Sequence, residues 1–329
     1  MDKDNLVRVL RDLRKMDEHA RPAIENLLHR SRLVKLDEYL DFETERGVDR
    51  VHRLFPVVKM TGTKTLRFAY ADPPIHSWAD EIRGVVCAPP GKVFVAGDWS
   101  ALEARIFAIL TNDQIDLAVY DKGGDIHLNT ALEMFGLAEL PTVKRKAYRN
   151  TAKTFRFGVL QYGGEPETLK AKTYCPCPRC RERLPDSLSL SREELRKVTD
   201  RWFARHPNVR KWRSEVVAQV RKSRSYVAPS GLRRFYLAPM GEELWKEAWN
   251  WPIQHLAAWL AHRAQRRLHE KYDAPIVLQH HDSLVCMVDE GSEVTWGERL
   301  REVMEMPVPE LGGRVFPIEV KHGQRWSEL

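Results

Sequence analysis

Two aspartates suggest a chemistry. Asp98 follows the apolar run Lys92 to Gly97 (KVFVAG), and Asp282 lies inside a second apolar run, Ile276 to Val288 (IVLQHHDSLVCMV). The first run reads as a buried strand ending in Asp98, and the second as two strands around a turn at His280 to Ser283. Each carboxylate is therefore presented at a strand end or turn. Two carboxylates brought together repel one another unless cations lie between them. Mg²⁺ suits such a pair: it is held by one or two carboxylates plus substrate phosphates, and two ions can clamp an attacking and a leaving oxygen. Turn-forming aspartates look the same in a sequence, so these two residues alone do not decide.

A helix reading from Thr142 to Tyr162, stopped by Gly163-Gly164, adds a second signal. Arg145, Arg149, Lys153 and Phe157 recur every four residues and share one face. Stacked cations repel mildly, and a merely solvated helix tends to alternate them with acids. Cations followed by an aromatic ring suit a triphosphate with a sugar or base beside it. A solvated basic face is the alternative.

The elements that must position these groups alternate irregularly, which favours an α+β fold over a doubly wound sheet. Ser191 with Glu194 forms a capping box that opens a further helix, broken near Pro207. Glu242 to Tyr272 is helical, with Pro252 marking a kink or a boundary. Phe316 to Val320 reads as a last strand. Thr142 to Ser225 carries 22 Lys and Arg against 8 Asp and Glu, while the whole chain is only +7. So polarised a charge suits a polyanion, nucleic acid or nucleotide. Met1 to His19 is charged throughout and reads as no signal peptide, and no run is apolar enough for a membrane span. Five cysteines, an odd number, suggest a reducing compartment. Cys87 and Cys286 sit in apolar runs and read as core residues.

Three ordered segments resemble the motifs of family A DNA polymerases. Asp98-Trp99-Ser100-Ala101-Leu102-Glu103-Ala104-Arg105 is similar to motif A (D-Y-S-x-I-E-x-R). Arg149 to Gly158 (RNTAKTFRFG) is similar to motif B, the fingers helix. Gln279-His280-His281-Asp282-Ser283 is similar to motif C (Q-V-H-D-E). The linking segments Asp125-Ile126-His127, Asn250-Trp251-Pro252-Ile253-Gln254, Phe203 to Pro207 and Phe316 to Trp326 follow in order, so the likeness runs from Pro22 to the end. It implies a right-hand polymerase fold with an antiparallel-sheet palm, helical fingers and a truncated helical thumb. On that likeness the thumb-like region is 1–55, the palm 56–112 and 226–329, and the fingers 113–225.

The resemblance also implies roles. Asp98 and Asp282, with the Trp99 carbonyl, hold two Mg²⁺ ions. Glu103 excludes a ribose 2′-hydroxyl. Arg149 and Lys153 grip the triphosphate with His127 and Arg83, and Phe157 and Tyr162 meet the nucleotide. Arg67, Asn250, Gln254 and His281 contact the DNA primer-template. The implied substrates are deoxynucleoside triphosphates, and the implied location is the cytoplasm of a bacterium or a phage-infected cell. A single-subunit RNA polymerase shares the paired aspartates, but Glu103 speaks against it. A non-catalytic DNA-binding remnant, or half of a split enzyme whose partner protein supplies thumb or exonuclease function, is the reading from another class.

Three departures stand out. Motif B usually has Tyr eight residues after its Lys, where this chain has Gln161, with Tyr162 one step on. A one-residue shift rotates a helical side chain by about 100°, so Tyr162 takes the usual role only if the helix end is irregular. Ser283 replaces the usual Glu of motif C. An insertion at 174–185 carries Cys175, Cys177 and Cys180, which with His206 would make four ligands for a structural Zn²⁺, or else a Pro-stiffened surface loop.

Overall fold

The computed structural model describes residues 52–142, 145–165 and 190–329, with a few isolated positions before residue 47. The thumb-like region expected over 1–55 lies almost wholly outside the described residues, as do Cys175, Cys177, Cys180 and the insertion that holds them. After a short antiparallel pair, Glu45–Arg46 with His52–Arg53, come strands β1 (Val57–Lys59), β2 (Ala69–Ala71) and β3 (Lys92–Trp99). Helices α1 (Leu102–Thr111), α2 (Gln114–Asp121), α3 (Ile126–Phe135) and α4 (Arg145–Phe155) follow, and α4 passes directly into a π-helical turn (Arg156–Gln161). Next come α5 (Arg192–Arg205), α6 (Pro207–Ser223), β4 (Ser225–Val227) and β5 (Arg233–Phe235). The chain closes with α7 (Glu242–Tyr272), β6 (Ile276–His280), β7 (Ser283–Asp289), α8 (Glu293–Met304) and β8 (Ile318–Gly323). Among the described residues, no helix is long and apolar enough to cross a membrane.

The chain divides into two compact units. One holds the described residues from Glu45 to Ile106 together with Gln219–Pro239 and Trp251–Leu329; the other holds the described positions before residue 36 together with Phe107–Ala218 and Met240–Asn250.

The first unit is built on a four-stranded antiparallel sheet in the order β8-β3-β7-β6. β3 is paired on both edges, and Val93, Phe94, Val95 and Ala96 are all buried. Alternation sends Phe94 and Ala96 into one cluster with Tyr70, Ile75, Trp78, Ile82, Leu278, Val285 and Trp326. Gly97 points the other way, where a Cβ would meet Met304 Sδ of α8 at 2.8 Å and Ile318 Cδ1 of β8 at 3.0 Å. The strand continues two residues past Gly97, so Asp98 is its penultimate residue rather than the first after it. The last strand starts at Ile318, not Phe316, because Pro317 has no N–H to give a ladder. Cys286 is buried, and burial pushes its thiol up to about 12; Cys87 is exposed, contrary to expectation, in an isolated bridge with Arg325.

The second unit is helical. Asp113 and Asp125 cap α2 and α3 by accepting from main-chain amides of the first turn, and the Ser191–Glu194 capping box opens α5 as expected. At its centre the fully buried Arg156 bonds Asp116 and, at 3.1 Å, Thr130 Oγ1. Nearby, Asp113 Oδ2 meets His206 Nδ1 at 2.5 Å, and His206 stacks on Trp202 with ring centroids 4.0 Å apart. Burial lowers the Arg156 guanidinium to about 10, a shift opposed by Asp113, so it stays charged at neutral pH. Removing either member of such a buried pair strands the other charge, at a cost of about 3–5 kcal/mol.

Pro252, which the sequence marks as a kink or boundary, does not end α7. The division between the units falls just before it, between Asn250 and Trp251. Beyond it Ile253, Leu256, Ala257 and Ala261 are buried, and that packing offsets the roughly 3 kcal/mol a helical proline costs.

Gly97→Val tests the tight crossing of β3 and α8. Valine favours strands, yet the added branches have no room, so stability should fall by about 1–3 kcal/mol. Urea unfolding measures it; an unchanged midpoint would show that the crossing yields.

Candidate functional site

In the sheet unit, register fixes the two aspartates. Asp98 of β3 pairs with Ser283 of β7, and the next amide, Trp99 N, donates to Asp282 O at 3.1 Å. Asp98 is exposed and Asp282 half-buried, in the tight turn between β6 and β7. His281 opens that turn at φ 52°, in the left-handed region that lets the chain reverse within two residues. In the first turn of α1, Glu103 is only 8% exposed, and its carboxylate bonds the Arg67 guanidinium. Arg67 Nη2 also lies 3.9 Å from Asp282 Oδ1. Burial pulls the Arg67 pKa down and Asp282 pulls it back up. Arg67, Glu103 and Asp282, expected in separate roles, thus share one charge cluster.

Arg83 lies in this unit too. It bonds Asp80 at 2.9 Å, approaches His280 Nε2 at 3.4 Å and stacks over Trp326 at 5.1 Å. Burial and the charges of His281 and Arg83 lower His280 to about 3. His281 is lowered by burial and by Arg67 and Arg83. His280 is therefore neutral at pH 7.

In the helical unit, the expected basic face forms. Arg145 and Lys153 are exposed, and Arg149 and Phe157 are partly so. Arg149 Nε donates to Asp125 Oδ2 at 2.5 Å, while Asp125 Oδ1 accepts from His127 N at 2.8 Å to cap α3. Burial alone would raise Asp125, but Arg149 and the capping amides hold it below its ordinary range. The His127 ring lies 5.5 Å from that of Phe157 and, 2% exposed, is lowered to about 4 by burial and then by Arg149. Tyr162 lies 6.2 Å from Phe157, ring to ring, and Asn250 Nδ2 donates to Tyr162 O at 3.4 Å. His127, Arg149, Lys153, Phe157, Tyr162 and Asn250 therefore form one constellation. Gln254 belongs to the other unit, a turn further along α7.

For a divalent metal, the donor set at Asp98, Asp282 and the Trp99 carbonyl is entirely oxygen, as a hard cation requires. The Arg67 guanidinium beside Asp282 shows that this corner accommodates positive charge. A second grouping, Asp113, Asp116 and His206, also brings metal-ligating atoms together. Arg156 already neutralises it from within, so a cation there would compete with a buried guanidinium. His206, the fourth zinc ligand suggested by the sequence, directs Nδ1 to Asp113.

Sequence reasoning missed the Arg67–Glu103 and Arg149–Asp125 pairs, which join residues 36 and 24 apart, and no local pattern announces them. It also missed Arg213 of α6. This residue is buried enough for its guanidinium to fall to about 10, and it donates to the Leu160 and Gln161 carbonyls.

Against known proteins, the model of DNA polymerase family A matches residues 5–328 of this chain. DNA polymerase I, thermostable, of Thermus aquaticus is 31% identical over 325 residues, which cover 92% of this chain and 36% of that protein. The DNA polymerase of Mycobacterium phage D29 is 26% identical over 78% of this chain and 38% of that protein. The chain thus spans little more than a third of the length of these curated relatives. In fold it resembles the POL domain of Pol1 from M. smegmatis, solved in complex with DNA primer-template and dNTP. The TM-score is 0.77 at 23% identity, covering 100% of this chain and 56% of that one. The fold is accordingly an α+β polymerase fold.

The depressed His127 makes stability depend on pH. Between the ordinary histidine value of 6.5 and about 4, the unfolded chain takes up a proton that the folded chain does not. Its stabilisation is full above pH 6.5 and falls as pH drops, by about 2 kcal/mol at pH 5. His127→Asn should remove that share of the slope in urea titrations at pH 7 and pH 5. A variant with the parental slope would show that His127 does not titrate this way.

Proposed function

Because this chain belongs to DNA polymerase family A, we propose that it adds deoxynucleotides to a DNA primer 3′-hydroxyl as a template directs. The observation that carries the reading is the sheet register that puts Asp98 opposite Ser283 and bonds Trp99 N to Asp282 O, so that the two aspartates lie on adjoining strands beside the Arg67–Glu103 ion pair. The ligands solved with the M. smegmatis POL domain, primer-template and dNTP, are the ligands proposed for this chain.

In the reaction, the primer 3′-oxygen forms a bond to the α-phosphorus, the bond to the bridging oxygen breaks, and pyrophosphate leaves as the hydroxyl proton passes to water. Asp98, Asp282 and the Trp99 carbonyl would hold two Mg²⁺ ions, which would supply charge neutralisation for the phosphoryl transfer. Arg149 and Lys153 bind the triphosphate through charge-assisted hydrogen bonds. Arg149 is pre-set for this by Asp125. His127, neutral at pH 7, gives a hydrogen bond without adding to the crowd of cations. Phe157 and Tyr162 provide the apolar surface for sugar and base. Glu103, clamped by Arg67, presents a fixed carboxylate that a ribose 2′-hydroxyl would meet. Asn250, Gln254, His281 and Arg83 contact the DNA and nucleotide with two amides, an imidazole and one guanidinium. Catalysis on this account is positioning plus charge neutralisation.

Asp98→Asn and Asp282→Asn should each lower nucleotide addition by at least about 1,000-fold, a typical cost of losing transition-state electrostatics. Primer-template affinity should stay within about threefold, since phosphate contacts dominate it. Single-turnover extension and DNA titration measure the two quantities; near-parental addition by either variant would refute the metal assignment.

Glu103→Ala should raise incorporation of ribonucleotides relative to deoxynucleotides by 10-fold or more, about 1.4 kcal/mol of discrimination. Competition between the two sugars on one primer reads this directly. Unchanged discrimination would place the sugar gate elsewhere.

A further inference from the structure

Gln161 occupies the place where the motif B pattern has tyrosine, and the structure absorbs it in an unusual way. From Arg156 to Gln161 the backbone is π-helical, and Tyr162 N bonds Phe157 O, five residues back, at 3.0 Å. An α-turn brings the fourth residue on back over its start, whereas a π-turn brings back the fifth. Tyr162 is the fifth residue after Phe157, and their rings lie 6.2 Å apart. The extra residue is thus taken up in the width of the turn.

Such a turn has to be held. Gln161 is 0% exposed, and neither its Oε1 nor its Nε2 has a hydrogen-bond partner among the described residues. A π-turn and a buried amide without partners are both unfavourable, and they persist only where the surroundings over-determine them. The amides of Tyr162, Gly163 and Gly164 bond back to Phe157, Val159 and Gly158, which leaves the Leu160 and Gln161 carbonyls at the open end. Arg213 Nη2 donates to both, at 2.7 and 3.0 Å. Its guanidinium in turn lies 4.7 Å from the ring of Trp249, whose Nε1 donates to Arg213 O at 3.3 Å. Trp249 also closes over Gly163, where a Cβ would meet its ring at 3.3 Å. At the other end, Arg156 is tied to Asp116 and Thr130. The turn is pinned at both ends by guanidiniums.

We infer that Arg213 is a positioning residue: by capping the Leu160 and Gln161 carbonyls it holds the π-turn that carries Tyr162 back over Phe157. Its hydrogen bonds go to the main chain, and its consequence for nucleotide use rests on the polymerase reading above. An insertion at the end of a nucleotide-facing helix is tolerated because an arginine from α6 takes up the carbonyls that the wider turn exposes. Gln161 and Arg213 therefore act as a pair, and Arg213 loses its task when Gln161 is removed.

The test compares the parent chain with Arg213→Met, Arg213→Lys, a deletion of Gln161, and the deletion combined with Arg213→Met. Hydrogen exchange at the amides of Tyr162, Gly163 and Gly164 reports the turn whatever the chain's activity, and thermal melting checks folding. Hydrogen bonds to a charged donor imply about 10- to 100-fold faster exchange there in Arg213→Met, with distant amides unchanged. The KM for the incoming nucleotide should rise by about 10-fold with kcat less affected. Arg213→Lys should recover part of both effects. In the deletion background, Arg213→Met should change KM by less than about threefold, the non-additivity expected of residues sharing one task. Parental exchange at these three amides in Arg213→Met would overturn the inference, as would an equal KM penalty with and without Gln161. If the parent adds no nucleotide, the polymerase reading fails, and the exchange data alone then decide the role of Arg213.

Discussion

Two carboxylates that must lie near one another constrain everything else in this chain. Asp98 and Asp282 stand at neighbouring ends of hydrogen-bonded strands, and their mutual repulsion is tolerable only with positive charge at hand. The central sheet is built to meet that demand. β3 is paired on both edges and its backbone is closed in by Met304 and Ile318, so the strand end has little freedom to relax away from its partner. Arg67 then supplies a permanent cation, shared between Asp282 and the nearly buried Glu103.

The helical unit solves a different electrostatic problem. It carries a strongly basic stretch, and stacked cations on α4 repel one another. Asp125 offsets this locally by taking Arg149 while it caps α3, and His127 stays neutral between them. Deeper in, Arg156 and Arg213 are buried for structural ends, one against Asp116 and the other against main-chain carbonyls. Arginines in this unit thus include exposed ones suited to phosphate and buried ones bound to partners within the fold. Sequence composition counts both alike, which is why net charge overstates the surface available to a polyanion.

Much of this was legible in the residues. The apolar runs ending at Asp98 and flanking Asp282 announce buried strands, and the four-residue spacing of Arg145, Arg149, Lys153 and Phe157 announces a helix face. What was not legible has particular causes. The β3 strand outlasts its apolar run because β8 and the turn before β7 continue to pair with it. Pro252 reads as a stop, yet the buried residues after it hold α7 together. The position of Tyr162 could not be settled from spacing. Whether one extra residue swings a side chain by a quarter turn or widens the helix depends on Arg213, about fifty residues away. Cys87 lies in an apolar run but faces solvent, since a short run of small residues fits an edge bridge as well as a core.

The central claim is that Asp98 and Asp282 serve as a metal-dependent nucleotidyl-transfer centre. It is tested most directly by mixing the purified chain with a primer-template and the one matching deoxynucleoside triphosphate while titrating Mg²⁺ from a chelated start. The account predicts no extended primer in chelator and single-nucleotide addition that rises more steeply than first order in Mg²⁺, as two ions require. Equal addition in chelator, or none with saturating Mg²⁺ while DNA and nucleotide are both bound, would contradict it.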